Sequence, residues 1–216
     1  MIIFLNGTSS TGKSSVAREL MRQSQIPFLH YASDHLLNFW IDSKFVNSFK
    51  GEQKPQKWQA EWFCRQQAID KNGHPVFHID NGKKGWALYC DLVKAACGLM
   101  DKGYDMIIDE VIISRSQMSL YYPSLIHKKA YMIYVYCEES EMEKREKQRG
   151  DRNIGLSRGL LEDVDKIIST YDLKIDTTHL STTECAKNIF NFIESNPKPK
   201  AVKKLMKEYS QGSIVE

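Results

Sequence analysis

The feature that most narrows what this chain can fold into is an eight-residue loop, Gly7-Thr8-Ser9-Ser10-Thr11-Gly12-Lys13-Ser14, set directly behind the apolar run Ile2-Ile3-Phe4-Leu5. It meets the pattern G-x-x-x-x-G-K-[ST] at every fixed position. Its glycines let the backbone turn so that successive N–H groups converge on phosphate oxygens. The helix expected from about Lys13 to Gln23 presents its positive N-terminal end to the same anion. Lys13 is expected to reach the β- and γ-phosphates and Ser14 to hold Mg²⁺, with Ser15 beside them in the phosphate-binding set. A strand before and a helix after separate such a loop from a chance match.

The rest of the chain repeats that alternation. Phe28–Ala32, Tyr104–Asp109, Ala130–Cys137 and Leu173–Asp176 read as further short, continuously apolar strands. Helical patterns lie between them: Gly85–Lys102, Glu139–Arg149, and Ser181–Glu194, which opens with the serine and Glu184 at capping-box spacing. Buried strands separated by helices of ten or more residues imply a parallel sheet covered on both faces, a three-layer α/β domain. Two stretches break the rhythm. Residues 44–85 place Trp58, Trp62 and Phe63 at the spacing of a helix face. There the turn Asn72-Gly73 before Val76–Ile79 suggests a hairpin. The end, Asn196-Pro-Lys-Pro-Lys200, reads as a linker leading to a basic helix or frayed tail over residues 201–216.

Composition removes several alternatives. Among 216 residues, 42% are hydrophobic and 11% aromatic, the balance of a globular chain with one core. No apolar run approaches the ~20 residues that span a bilayer. The start is too short and too uncharged at its front to read as a secretory signal. A net charge of +3 suits an anionic ligand and does not by itself argue for nucleic acid. The five cysteines show no C-x-x-C spacing, so buried free thiols in a reducing cytoplasm are expected in place of disulfides or a zinc site. His74 and His78 read as surface residues, and Lys203, Lys204 and Lys207 as a solvated face.

A phosphate loop of this kind needs an acidic partner at the end of another core strand. Ile107-Ile108-Asp109-Glu110 supplies one. Asp109 is expected to hold the metal, directly or through water, with Glu110 near the γ-phosphate; the alternative is a carboxylate that caps the next helix.

With these pieces placed, the chain resembles the chloramphenicol phosphotransferase family of P-loop kinases. The likeness is carried by IIFLNGTSSTGKSS, YASDHLL, GYDMIIDEV, REKQRGDRNIG and YDLKIDTTHLSTTECA, in the family's order from residue 1 to about 194. It implies a P-loop kinase fold with a five-stranded parallel sheet and phosphorylation of a hydroxyl on a small molecule by ATP with Mg²⁺. It implies a kinase domain over residues 1–195, with an acceptor-site insertion at 44–85 and a lid at 145–157; the basic extension at 196–216 lies beyond the likeness. Asp34 corresponds to the family's catalytic aspartate; read from position alone, Ser33 and Asp34 could equally cap the helix that follows. Arg145, Arg149 and Arg152 correspond to the lid, where guanidinium groups would neutralise the transferred phosphoryl. They could otherwise pair with Glu141, Glu143 and Glu146 on a solvated helix. Asp176-Thr177-Thr178 resembles the adenine-side loop, or is a plain strand-to-helix turn. Two other readings stand beside this one: a nucleoside or nucleotide kinase, and a nucleotide-dependent regulatory protein. No N-K-x-D motif supports guanine.

Overall fold

The computed structural model describes residues 1–40, 46–48, 60–149 and 154–210; for residues 37–40, 46–48, 64, 65 and 210 it describes the backbone alone. Five strands form the central sheet: β1 (Ile2–Asn6), β2 (Leu29–Ala32), β6 (Met106–Glu110), β7 (Ala130–Tyr136) and β8 (Leu173–Asp176). Their order is β2-β6-β1-β7-β8, and every pairing is parallel. The strands expected from apolar continuity are all present. Strand β6 starts two residues later than the apolar pattern suggests, because Tyr104 is spent closing the preceding turn through its N–H to the Leu99 carbonyl.

Side-chain alternation explains why the strands read as continuous apolar runs. Ile2, Phe4, Met106, Ile108 and Met132 point into one core. Helices α3 (Lys83–Asp101) and α4 (Arg115–Leu125) cover that face. Ile3, Leu5, Ile107, Ile133 and Val135 point into the opposite core. That face is covered by α1 (Lys13–Gln23) and α7 (Thr182–Ser195). Both faces are therefore dry, as parallel sheets require. The Ser181–Glu184 capping box at the start of α7 forms as its spacing predicts.

Residues 46–48, 63–69 and 75–81 build the second, smaller sheet. Strand β3 (Val46–Ser48) runs parallel to β4 (Phe63–Ile69), which pairs antiparallel with β5 (Pro75–Asn81). The hairpin is where the Asn72-Gly73 turn places it, with the Asp70 carboxylate accepting the N–H groups of Asn72 and His74. His74 and His78 are exposed. The helical reading of the tryptophan cluster needs correction. Trp62 lies in a turn, and Phe63 begins β4 with its ring in the main core; Trp58 lies outside the described residues. Strand pairing with β5, a long-range choice, overrides the local helical spacing.

Three helices complete the described chain: α2 (Ser33–Trp40), α5 (Glu139–Arg149) and α6 (Leu156–Ile167). After the linker comes α8 (Ala201–Ser210), whose Ala201, Val202 and Leu205 are buried in the main core. Its first turn is tied down by Asp172, which accepts the N–H groups of Lys200 and Ala201. Lys203, Lys204 and Lys207 stay on the exposed side.

Candidate active site

The phosphate loop leaves β1 at the carboxyl edge of the sheet, where open α/β folds place their ligands. Gly7 is required by crowding: a Cβ there would lie 2.3 Å from the Val135 carbonyl oxygen of the adjacent strand. The loop is held from within and without. Thr11 Oγ1 and Lys13 Nζ both donate to the Thr8 carbonyl, at 3.1 and 2.8 Å. Thr8 Oγ1 donates to the Ser157 carbonyl at the start of α6, at 2.8 Å.

The sheet register delivers the acidic partners. Asp109 and Glu110 lie opposite Leu5 and Asn6 on the neighbouring strand. Ser14 Oγ donates to Asp109 Oδ2 at 2.6 Å, so the two residues expected to hold a metal meet without adjustment. Burial opposes the Asp109 charge. His30, the Lys13 ammonium and the Ser14 hydroxyl outweigh burial and hold its pKa below the ordinary carboxylate value. A hydroxyl and a carboxylate are hard oxygen donors, the set that Mg²⁺ takes when phosphates supply further ligands. Among the described residues no cluster of three or more His, Cys, Asp or Glu side chains forms a metal site of its own.

Glu110 faces a different environment from its neighbour. It is buried, accepting from Tyr121 Oη and from Ser33 Oγ, both at 2.8 Å. Burial, then the charges of Asp34 and Asp109, push its pKa up to about 8. Asp34 stands in the first turn of α2, half-buried. Lys13, Ser14, Asp34, Asp109, Glu110 and Arg149 share the wall of a single cavity of about 520 Å³.

The loop after β8 closes on the phosphate loop from the other side. Thr177 Oγ1 donates to the Thr11 carbonyl at 2.6 Å. Arg145 binds Thr177 through Nη1 to Oγ1 at 3.1 Å and Nη2 to the carbonyl at 2.7 Å, and reaches the Ser10 carbonyl at 3.5 Å. Asp176 Oδ1 accepts the Thr178 N–H at 2.8 Å, and Thr178 Oγ1 accepts the Glu138 N–H at 2.9 Å. The fold thus gathers Gly7–Ser15, Arg145 and Asp176–Thr178 into one neighbourhood, and carries Arg149 to the cavity wall. Arg152 lies outside the described residues.

Some of this neighbourhood left no mark in the sequence. His30 Nε2 lies 3.4 Å from Asp109 Oδ2, short of an ordinary hydrogen bond in alignment. Nothing about an isolated histidine on a strand foretells that approach. Helix α6 also packs against the hairpin. Phe77 N–H donates to the Gly155 carbonyl, and a Cβ on Gly159 would lie 2.3 Å from the Phe77 carbonyl oxygen. Arg158 adds contacts to the Pro75 carbonyl and to the carboxylates of Glu139 and Glu143.

A phosphate loop, an opposed carboxylate at the next strand and a five-stranded parallel sheet define an α/β P-loop kinase fold. Solved structures agree on the fold. Shikimate kinase from Acinetobacter baumannii, in complex with shikimate, matches with a TM-score of 0.56 and 16% identity, over 90% of this chain and 93% of that one. The Mycobacterium tuberculosis APS kinase, in complex with AMPPNP and APS, matches with a TM-score of 0.55 and 14% identity, over 89% and 96% of the two chains. The chain belongs to the chloramphenicol phosphotransferase-like family, which matches residues 1–194. A relative named "Putative O-phosphotransferase" from Mycobacterium tuberculosis strain H37Rv is 25% identical over 208 residues, 96% of this chain and 88% of the relative. Fold and family make this chain a small-molecule kinase.

Proposed function

We propose that this kinase transfers the γ-phosphate of ATP to a hydroxyl of a small, neutral molecule. One observation carries the reading. The Ser14–Asp109 pair, Lys13, Arg149 and Asp34 all border the same cavity, which supports assigning them phosphate, metal and base roles in one reaction. Ser14 and Asp109 would hold Mg²⁺, which when bound neutralises charge on the phosphate oxygens. Lys13 and Arg149 would stabilise the transferred phosphoryl, joined by Arg152 as the resemblance implies. Asp34 would orient the acceptor hydroxyl and accept its proton as the oxygen bonds to phosphorus and the bond to ADP breaks. Arg145 and the Asp176–Thr178 loop would flank the nucleotide.

The apolar lining of the same cavity, Phe63, Ile79, Val111, Ile113, Leu156 and Leu160, bears on the acceptor. Among the described lining residues the Lys and Arg side chains are Lys13, Arg18 and Arg149, all on α1 or α5 beside the phosphate loop. Asp34 would repel a second phosphate, which favours a neutral alcohol over a nucleotide acceptor. The four described cysteines, Cys90, Cys97, Cys137 and Cys185, are unbridged, in keeping with a cytoplasmic setting. No described helix is long and apolar enough to cross a membrane.

The decisive experiment incubates a cell extract with the protein, ATP and Mg²⁺ and searches by mass spectrometry for compounds that gain phosphate. A neutral alcohol gaining phosphate is the expected outcome, with chloramphenicol run alongside as a defined alcohol. Phosphorylation confined to nucleosides or nucleotides would replace this acceptor class. No phosphorylated product at all, together with partner binding that follows nucleotide state, would favour a regulatory protein.

A further inference from the structure

Glu146 is a buried acid for which the chemistry above has no use. Its position on α5, among Glu141, Glu143, Arg145 and Lys147, reads as one more charge on a solvated helix. Its side chain is instead fully buried. Each carboxylate oxygen accepts one backbone N–H: Oε2 from Gly155 at 2.9 Å and Oε1 from Ser157 at 2.8 Å. Those amides open α6, where N–H groups lack intrahelical partners and the helix dipole favours an anion.

Ser157 passes the connection on, since its carbonyl is the acceptor for Thr8 Oγ1 of the phosphate loop. Arg149 follows Glu146 by three residues, one turn along the same helix face, and reaches the cavity wall. Arg145, one residue before Glu146, is fastened to Thr177 on the other side of α5. The end of this helix is therefore fixed on two sides among the described residues, and of these two anchors Glu146 is the fully buried one. Burying a carboxylate is costly, and an apolar residue of similar size often serves stability as well. A carboxylate at this junction gives something an apolar side chain cannot, a defined register between two helices and the phosphate loop.

We infer that Glu146 is a positioning residue that holds the end of α5 against α6 and the phosphate loop, so that Arg149 is presented to the nucleotide phosphates. The inference rests on the nucleotide-binding reading above. Glutamine at position 146 keeps the shape but accepts at only one of its two ends, so one α6 amide loses its partner.

The test titrates the full-length protein with AMPPNP and Mg²⁺ by calorimetry, as wild type, Glu146→Gln, Arg149→Ala and the double variant. Each single change is expected to weaken AMPPNP binding about tenfold. The double variant is expected to bind scarcely more weakly than the worse single, because both changes remove the same contact. A merely structural Glu146 would lower thermal stability and leave the losses additive. Glu146→Asp keeps the charge and serves as the second variant should Glu146→Gln fold poorly. It is expected to recover part of the affinity and to show the same non-additivity with Arg149→Ala. Additive losses, or a Glu146→Gln protein that binds AMPPNP like wild type, overturn the positioning role. Wild-type protein that does not bind AMPPNP overturns the nucleotide reading itself, a distinct failure.

Discussion

The two ends of the cavity are built by different means. At the phosphate end, eight consecutive residues form the loop, and sheet register alone brings Asp109 to Ser14 at 2.6 Å. At the proposed acceptor end, the wall is assembled from the hairpin at 63–81, the segment after β6 and the start of α6, which are far apart in sequence. In the first, the loop is dictated locally and its acidic partner arrives through strand pairing in the central sheet. The second depends on docking between elements, through Gly159 against Phe77 and Arg158 against Pro75. The difference teaches that a change in the hairpin would reshape the proposed acceptor wall and leave the central sheet and its phosphate loop intact.

That contrast can be broken or sharpened by substitution. The largest effect is expected from Asp34→Asn, which should lower turnover by about 10²–10⁴ while ATP affinity stays close to wild type. Steady-state kinetics with calorimetric nucleotide binding would check it; retained turnover would remove Asp34 from the role of base. Next comes Ser14→Ala, at the phosphate end. It should reduce activity by roughly 10–100-fold and raise the Mg²⁺ concentration needed for half-maximal rate, read from a Mg²⁺ titration. An unchanged Mg²⁺ requirement would show that the hydroxyl is not a ligand.

Smaller and directed at the other end, Gly159→Ala forces a methyl group against the Phe77 carbonyl. The overpacking should cost about 1–3 kcal/mol, seen by denaturant unfolding. It should also raise the acceptor KM more than the ATP KM; equal effects on both would mean that the two ends are not separable. The smallest effect is expected from Lys203→Ala on the exposed face of α8. It should shift stability by less than about 0.5 kcal/mol and leave both KM values unchanged.

Much of the fold around the phosphate loop is legible in the sequence. Lys13–Gln23 and Glu139–Arg149 appear as helices with the boundaries that their patterns suggest, and Leu173–Asp176 as the fifth strand. These elements obey local rules of periodicity, glycine geometry and capping, so a short window contains the information. Phe63 sits at helical spacing but joins a strand, because the partner that decides it, Asn81, lies eighteen residues away. The approach of His30 to Asp109 and the burial of Glu146 left no signal either. A histidine on a strand and a glutamate in a charged helix look alike whether solvated or committed to a partner.

The sequence by itself determined the phosphate loop, the parallel sheet and the acids at the end of β6, because each follows from residues adjacent along the chain or from strand periodicity. Only the tertiary structure decided what those residues face. It set Ser14 against Asp109, buried Glu110 on Tyr121 and Ser33, and turned Glu146 inward to the amides of α6. It also placed Leu205 of the lysine-bearing C-terminal helix in the main core. The physical reason is common to all four. Charge and apolarity are properties of single residues, but burial and partnership are properties of the packing around them.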